Sequence, residues 1–304
     1  MSGSFLLALS YVVLAVFAIA LVARAVRIAR MPVHLRWELA PVPKERTRGR
    51  YGGSYLEEYE WWKKPREESR VAELVYMLKE ILLLKALWEH RRSLWWFSYP
   101  FHLGLYVLIA AAGLAVAGGL AVAAGVPGPD WGLTSVILPW LAGVGYALGA
   151  VGAFGLLGRR LADARLRAVT TPVAFFNLLL LAALFVTGGV AVATVDAFPA
   201  RVHGLAAALA TAGPVPELPP LLLAHWMLAL VFLAYLPFSQ MMHFVAKYFT
   251  YHQVRWDDRP LEVGGAMERE VIELLSQPVG WAAAHVGADG RKSWVDVATE
   301  EVKP

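Results

Sequence analysis

Three histidines, His102, His225 and His243, stand within long uncharged stretches of a 304-residue chain. A ring as polar as imidazole is a functional candidate in such a setting, because it is costly there unless it bonds or binds something. Taken singly, each reads better as a structural histidine bonded to a neighbouring helix. Their spacing argues for more. His225 and His243 are 18 residues apart, five whole turns at 3.6 residues per turn. Both therefore point the same way, with roughly 27 Å of rise between them. His102 opens one apolar stretch and His243 closes another that runs in the opposite direction, so the two share a depth. Paired neutral imidazoles on facing helices hold b-type haem iron from both sides. Small residues after His102 (Gly104, Ala110–Gly113, Ala117–Gly119) leave room for close helix approach or a flat ligand.

The elements that must position these rings are membrane-spanning helices. The chain is 58% hydrophobic, more than a soluble core can absorb. Its uncharged runs, Ser2–Ala23, Ser93–Pro129, Trp131–Gly158, Ala168–Val195 and Leu218–Ala246, are each long enough to cross a hydrocarbon core of about 30 Å. None shows the period-two alternation of barrel strands, so the fold class is all-α, a five-helix transmembrane bundle. Of the 28 Lys and Arg, 16 lie between Arg24 and Arg92, 4 between Arg159 and Arg167, and 7 from Lys247 onward, leaving Arg201 alone on the other side. The positive-inside rule then puts the N-terminus outside and the C-terminus in the cytoplasm of a multi-pass protein of the cytoplasmic (inner) membrane. The net charge of +4 is thereby topological, which excludes nucleic acid as a partner. The first stretch has no basic residues before it and Arg24, Arg27 and Arg30 after it, so it reads as a retained anchor and not as a cleaved signal peptide. There is no cysteine, so any iron–sulfur cluster must belong to a partner.

Four regions result. Residues 1–30 are the first transmembrane helix, 31–98 a cytoplasmic segment, 99–247 a four-helix haem-binding core and 248–304 a cytoplasmic tail. The cytoplasmic segment begins irregularly around Pro32, Pro41, Pro43 and Gly49–Gly53. From Glu67 to about Trp88, Val71, Leu74, Val75, Leu78, Ile81 and Leu82 recur at helical spacing, an amphipathic helix for membrane lipid, a subunit or its own protein. The second span should begin near Tyr99 and end at the outer turn Val126–Asp130. The third should end at Gly158, and the fifth should run from Leu221 to about Lys247 with Pro237 inside. A short helix is expected over Met267–Leu275.

On these residues the chain resembles the gamma subunit of respiratory nitrate reductase and its relatives, the membrane cytochromes b of heterodisulfide-reductase-like and sulfite-reduction-associated complexes. Phe101-His102-Leu103-Gly104 resembles the opening of the family's second helix. Arg159-Arg160-Leu161 with Arg165, Arg167 and Thr170-Thr171 resembles its third-to-fourth loop. Ala224-His225 through Leu236-Pro237-Phe238-Ser239 to His243 resembles its fifth helix. The tail from Gln277, with Trp281, His285, Asp289-Gly290 and Trp294-Val295, is most similar to the sulfite-reduction-associated branch. The resemblance implies the quinol-reactive electron-transfer subunit of an oxidoreductase complex in a respiratory chain. His102 and His243 would be axial to an inner haem b, and His225 with a second-helix histidine to an outer one. Electrons would pass between menaquinone or another quinone and a cytoplasmic iron–sulfur (heterodisulfide-reductase-like) subunit.

The chain departs from that pattern at one ligand. The outer haem's second histidine should stand ten residues after His102, where the residue is Ala112, and no His or Met occurs between Leu103 and Asp130. His225 then marks either an outer haem or a quinone site, and His203, on the outer segment, is the candidate replacement ligand. The family's quinol-side lysine has no counterpart either; Thr134 and Ser135 stand there. Arg160 lies at the inner haem's depth and suits a propionate, since guanidinium grips carboxylates bidentately; it reads equally as a positive-inside residue. Two other functions compete with the haem reading. A cofactor-free membrane anchor for a cytoplasmic enzyme needs no haem ligands, yet two match in depth. A transporter needs intramembrane charges, and no span contains one.

Overall fold

The computed structural model describes residues 2–30, 57–64, 70–126, 132–250 and 263–300. The irregular stretch read at Pro32–Gly53 and most of the outer turn, Pro127–Asp130, lie outside the described residues. Helices follow in the order α1 (Gly3–Ala29), α2 (Arg70–Leu83), α3 (Lys85–His90), α4 (Arg92–Ala123), α5 (Gly132–Ala162), α6 (Ala164–Ala168), α7 (Pro172–Thr194), α8 (Phe198–Thr211), α9 (Pro220–Tyr235), α10 (His243–Thr250), α11 (Ala266–Leu275) and α12 (Trp294–Thr299). Five of them, α1, α4, α5, α7 and α9 with the turn that follows it, are long and apolar enough to cross a membrane. The protein is an all-α membrane protein. The chain divides into two compact units, residues 1–21 with 77–241 and residues 22–76 with 242–304.

In the first unit α4 lies along α5, α5 along α7, α7 along α9, and α8 on α4. Lipid is as apolar as leucine, so close packing and not burial from water must hold such helices together. Glycine supplies the closeness. A Cβ on Gly104 would lie 2.5 Å from the Gly149 backbone nitrogen, and one on Gly152 would lie 2.4 Å from that of Phe101. The α4 and α5 backbones therefore touch where the helices cross. Two clusters of buried side chains result. One, with Phe101, Ala153, Leu181 and Phe185, lies toward the end that carries Arg91, Arg92, Arg159 and Arg160. The other, with Ala115, Leu138, Ala142, Phe198 and Leu222, lies toward the opposite, far end. Polar ties are few. Ser10, 1% exposed, accepts from Trp226 Nε1 at 3.0 Å and donates to the Leu6 carbonyl at 2.8 Å, joining α1 to α9.

Four features differ from those read in the sequence. The second span starts at Arg92, not near Tyr99, and the third continues to Ala162, past Gly158. Charged residues end the hydrocarbon crossing but not the helix, whose backbone bonds continue into the polar zone. The amphipathic run breaks at Leu84, which adopts φ 51°, so that α2 and α3 are separate. The fifth span is also interrupted. Pro237 has no N–H for the Leu233 carbonyl, and α9 ends at Tyr235 in 3-10 turns over Leu236–Phe238 and Gln240–Met242. Ser239 supports the break, its hydroxyl donating to the Leu236 carbonyl at 2.9 Å and accepting from the Met241 amide at 3.1 Å. The whole-turn phasing of an unbroken helix from His225 to His243 therefore does not apply.

In the second unit the tail forms a small module of its own. After α11, strands β1 (Ala282–Ala283) and β2 (Ala288–Asp289) pair antiparallel. Asp289 accepts from the Arg291 and Lys292 amides, which hold its carboxyl below the usual carboxylate range. Ser293 caps α12 in a reciprocal box with Asp296.

Candidate functional site

His102 sits nearly three turns inside α4, half-buried, with its ring edge against Phe101 (centroids 5.2 Å apart). Its Nδ1 lies 2.7 Å from the carbonyl oxygen of Ser98, one turn earlier. A carbonyl only accepts, so the proton must be on Nδ1, and the lone pair of the neutral ring is on Nε2. Metal-ligating histidines are commonly oriented in this manner, with one N–H tied to a backbone carbonyl. The donor chemistry of His102 thus fits an axial ligand. The chain before it is held at the same end. Tyr106 O–H donates to the Ile81 carbonyl at 2.7 Å and Trp95 Nε1 to that of Leu83 at 2.8 Å. These aromatic donors on α4 satisfy two carbonyls left open at the C-terminus of α2. Buried Glu80 accepts from the Ala86 amide at 3.0 Å, closing the start of α3.

His225, on α9, is placed differently. Its Nε2 is 2.8 Å from the Tyr146 hydroxyl on α5, and its Nδ1 is 3.0 Å from Thr187 Oγ1 on α7. The proton positions follow by elimination. Thr187 Oγ1 lies 2.7 Å from the Ala183 carbonyl, which takes the hydroxyl proton. Oγ1 therefore accepts from Nδ1–H, and Nε2 accepts from Tyr146 O–H. The rings of Tyr146 and His225 meet edge to face, centroids 5.4 Å apart. Tyr146 cannot retreat, because a Cβ on Gly188 would lie 2.2 Å from its Cζ, so that glycine is the ring's seat. In this arrangement His225 presents no lone pair to iron, and an outer haem does not fit it.

His203, on α8, is 5% exposed, and its Nε2 has no hydrogen-bond partner. Desolvation lowers its pKa. The Nε2 edge faces α4, where a Cβ on Gly118 would lie 2.4 Å from Nε2. An iron on that nitrogen would have to occupy the space of the α4 backbone. Ala112, where the sequence comparison expects the second ligand, is on an exposed face of α4. Arg160 is half-buried on the last turn of α5 and forms no ion pair among the described residues, whereas its neighbour Arg159 faces Asp163 at 3.6 Å. His243 is the first residue of α10 and is exposed.

Tyr146 and Thr187 do not appear among the site residues expected from sequence, nor do Asn177 and Tyr235, whose side chains bond at 2.8 Å between α7 and α9. A signal was present. All four are polar side chains within apolar spans, the same property that singled out the histidines.

The sequence model of a family described as nitrate reductase gamma subunit matches residues 86–257, which covers α4 to α10. No curated protein matches the chain.

Proposed function

The chain belongs to the nitrate reductase gamma subunit family, membrane cytochrome b subunits of respiratory oxidoreductases, and from that premise we propose how its residues serve electron transfer. His102 and His243 would hold one haem b on the cytoplasmic side. The observation that supports this is the Ser98 carbonyl on His102 Nδ1, which leaves Nε2 as the basic nitrogen. Arg160 offers its guanidinium to a propionate of that group. Haem b supplies one-electron transfer when bound.

The basic excess sets the orientation, with the N-terminus outside and the C-terminus cytoplasmic. Residues 31–98 and 248–304 then lie on the side of the inner haem and dock a cytoplasmic, heterodisulfide-reductase-like iron–sulfur subunit. The chain has no cysteine for clusters of its own. Menaquinone or another membrane quinone would be the redox partner within the membrane. Reduced-minus-oxidised spectra of the purified chain test the ligands. His102→Ala and His243→Ala should each abolish the same haem band, and full haem content in both variants would overturn the assignment.

A further inference from the structure

We infer that His225 is not an iron ligand in this protein but the middle of a hydrogen-bonded lock, Tyr146–His225–Thr187, which ties α5, α7 and α9 together. Three observations carry this. Both ring nitrogens are engaged, and each by a residue of a different helix, at 2.8 Å and 3.0 Å. Tyr146 is held by its glycine seat, so its hydroxyl stays on Nε2. The two places from which a second ligand could come supply none. Position 112 is alanine, and the Nε2 edge of His203 lies against the α4 backbone at Gly118.

The direction of the protons shows what kind of device this is. The series runs from the Tyr146 hydroxyl to His225 Nε2, from Nδ1–H to Thr187, and from the Thr187 hydroxyl to the Ala183 carbonyl. A backbone carbonyl accepts a hydrogen bond but does not take up a proton, so the series ends there. It is a brace and not a proton wire. In an apolar span such a brace satisfies each polar group it contains, which is the condition for keeping them there. The alternative, a metal on Nε2, would take the nitrogen that the Tyr146 hydroxyl uses and leave that hydroxyl without its partner in an apolar span.

The inference does not depend on the reading of His102 and His243, and one set of variants separates the two. Glutamine can accept from Tyr146 through its amide oxygen and donate to Thr187 through its amide nitrogen, but it does not replace an axial imidazole. In the purified full chain in detergent, His225→Leu should lower the unfolding temperature by about 2–4 °C for each of the two hydrogen bonds it breaks, the scale for a chain of a few hundred residues. His225→Gln should recover most of that loss. Adding Tyr146→Phe to His225→Leu should lower it no further, since the partner is already gone. Haem per chain should be the same in all of these. Loss of a haem band in both His225→Leu and His225→Gln, distinct from the band lost in His102→Ala, would overturn the inference, and so would strict additivity of Tyr146→Phe and His225→Leu. If His225→Leu does not accumulate, Tyr146→Phe with Thr187→Val decides the same question. A chain without any haem would defeat the proposed function, and the additivity of the unfolding temperatures would still decide for or against the lock.

Discussion

The half of the bundle around His102 and the half around His225 hold the same side chain in opposite chemical states of readiness. His102 donates within its own helix, from Nδ1 to the Ser98 carbonyl a turn back. That bond orients the ring and puts the lone pair on Nε2. His225 takes both partners from other helices, Tyr146 on α5 and Thr187 on α7. The second arrangement spends both nitrogens on cohesion. What decides the role of a membrane histidine is therefore the donors and acceptors that neighbouring spans bring to it, and the two halves differ in those neighbours more than in the histidines.

The largest expected difference between the halves is in haem. His102→Ala should remove all the haem absorbance of the chain while His225→Leu leaves it intact, read from dithionite-reduced spectra of equal amounts of protein. Equal losses in the two variants would erase the comparison. A second effect belongs to the far half alone. Gly188→Leu puts side-chain atoms where the Tyr146 ring lies, and a Cβ there would already be 2.2 Å from Cζ. Overpacking of this kind costs about 1–3 kcal/mol, so the unfolding temperature should fall while the haem spectrum keeps its shape. A changed haem spectrum would mean that the halves are coupled through α5 and α7.

Smaller effects sharpen the contrast. Tyr235→Phe removes the hydroxyl that donates to Asn177 at 2.8 Å, and about 1 kcal/mol of stability should go with it. Asn177→Ala should cost more, because it removes a buried side chain as well as the acceptor of the Tyr235 hydroxyl. Equal costs would show that water or another group takes its place. His203 gives the smallest effect, and it depends on pH. Its folded pKa is lowered by desolvation, so the unfolded chain binds its proton more readily. The stability due to the neutral ring is present above the unfolded value of about 6.5 and is lost as pH falls through the folded one. His203→Ala should flatten the decline in unfolding temperature between pH 7 and pH 5; an unchanged slope would assign that decline to other groups.

Much of this was legible in the residues. The five spans follow from runs of uncharged sequence that nothing but a bilayer accommodates, and the match over residues 86–257 agrees with the family resemblance seen at His102, Arg159–Leu161 and His225–His243. Length and apolarity do not register where a helix ends once it leaves the hydrocarbon, so Arg92 and Ala162 were beyond reach as boundaries. Pro237 was visible, but whether it kinks a helix or ends one depends on Ser239, whose hydroxyl supplies the bonds that the helix gives up. The partners of His225 stand 79 and 38 residues away in the chain. No local pattern links them, and only the packing of α5 and α7 beside α9 does. The tail hairpin was hidden for another reason: strands of two residues carry no period to read.

The central claim is that the far half braces the bundle and carries no iron. The ratio of haem to polypeptide in the purified wild-type chain tests it most directly, measured by pyridine haemochrome against quantitative amino-acid analysis. The expected result is one haem per chain, retained in full by His225→Gln. Two haems per chain, with half lost in His225→Gln, would contradict it.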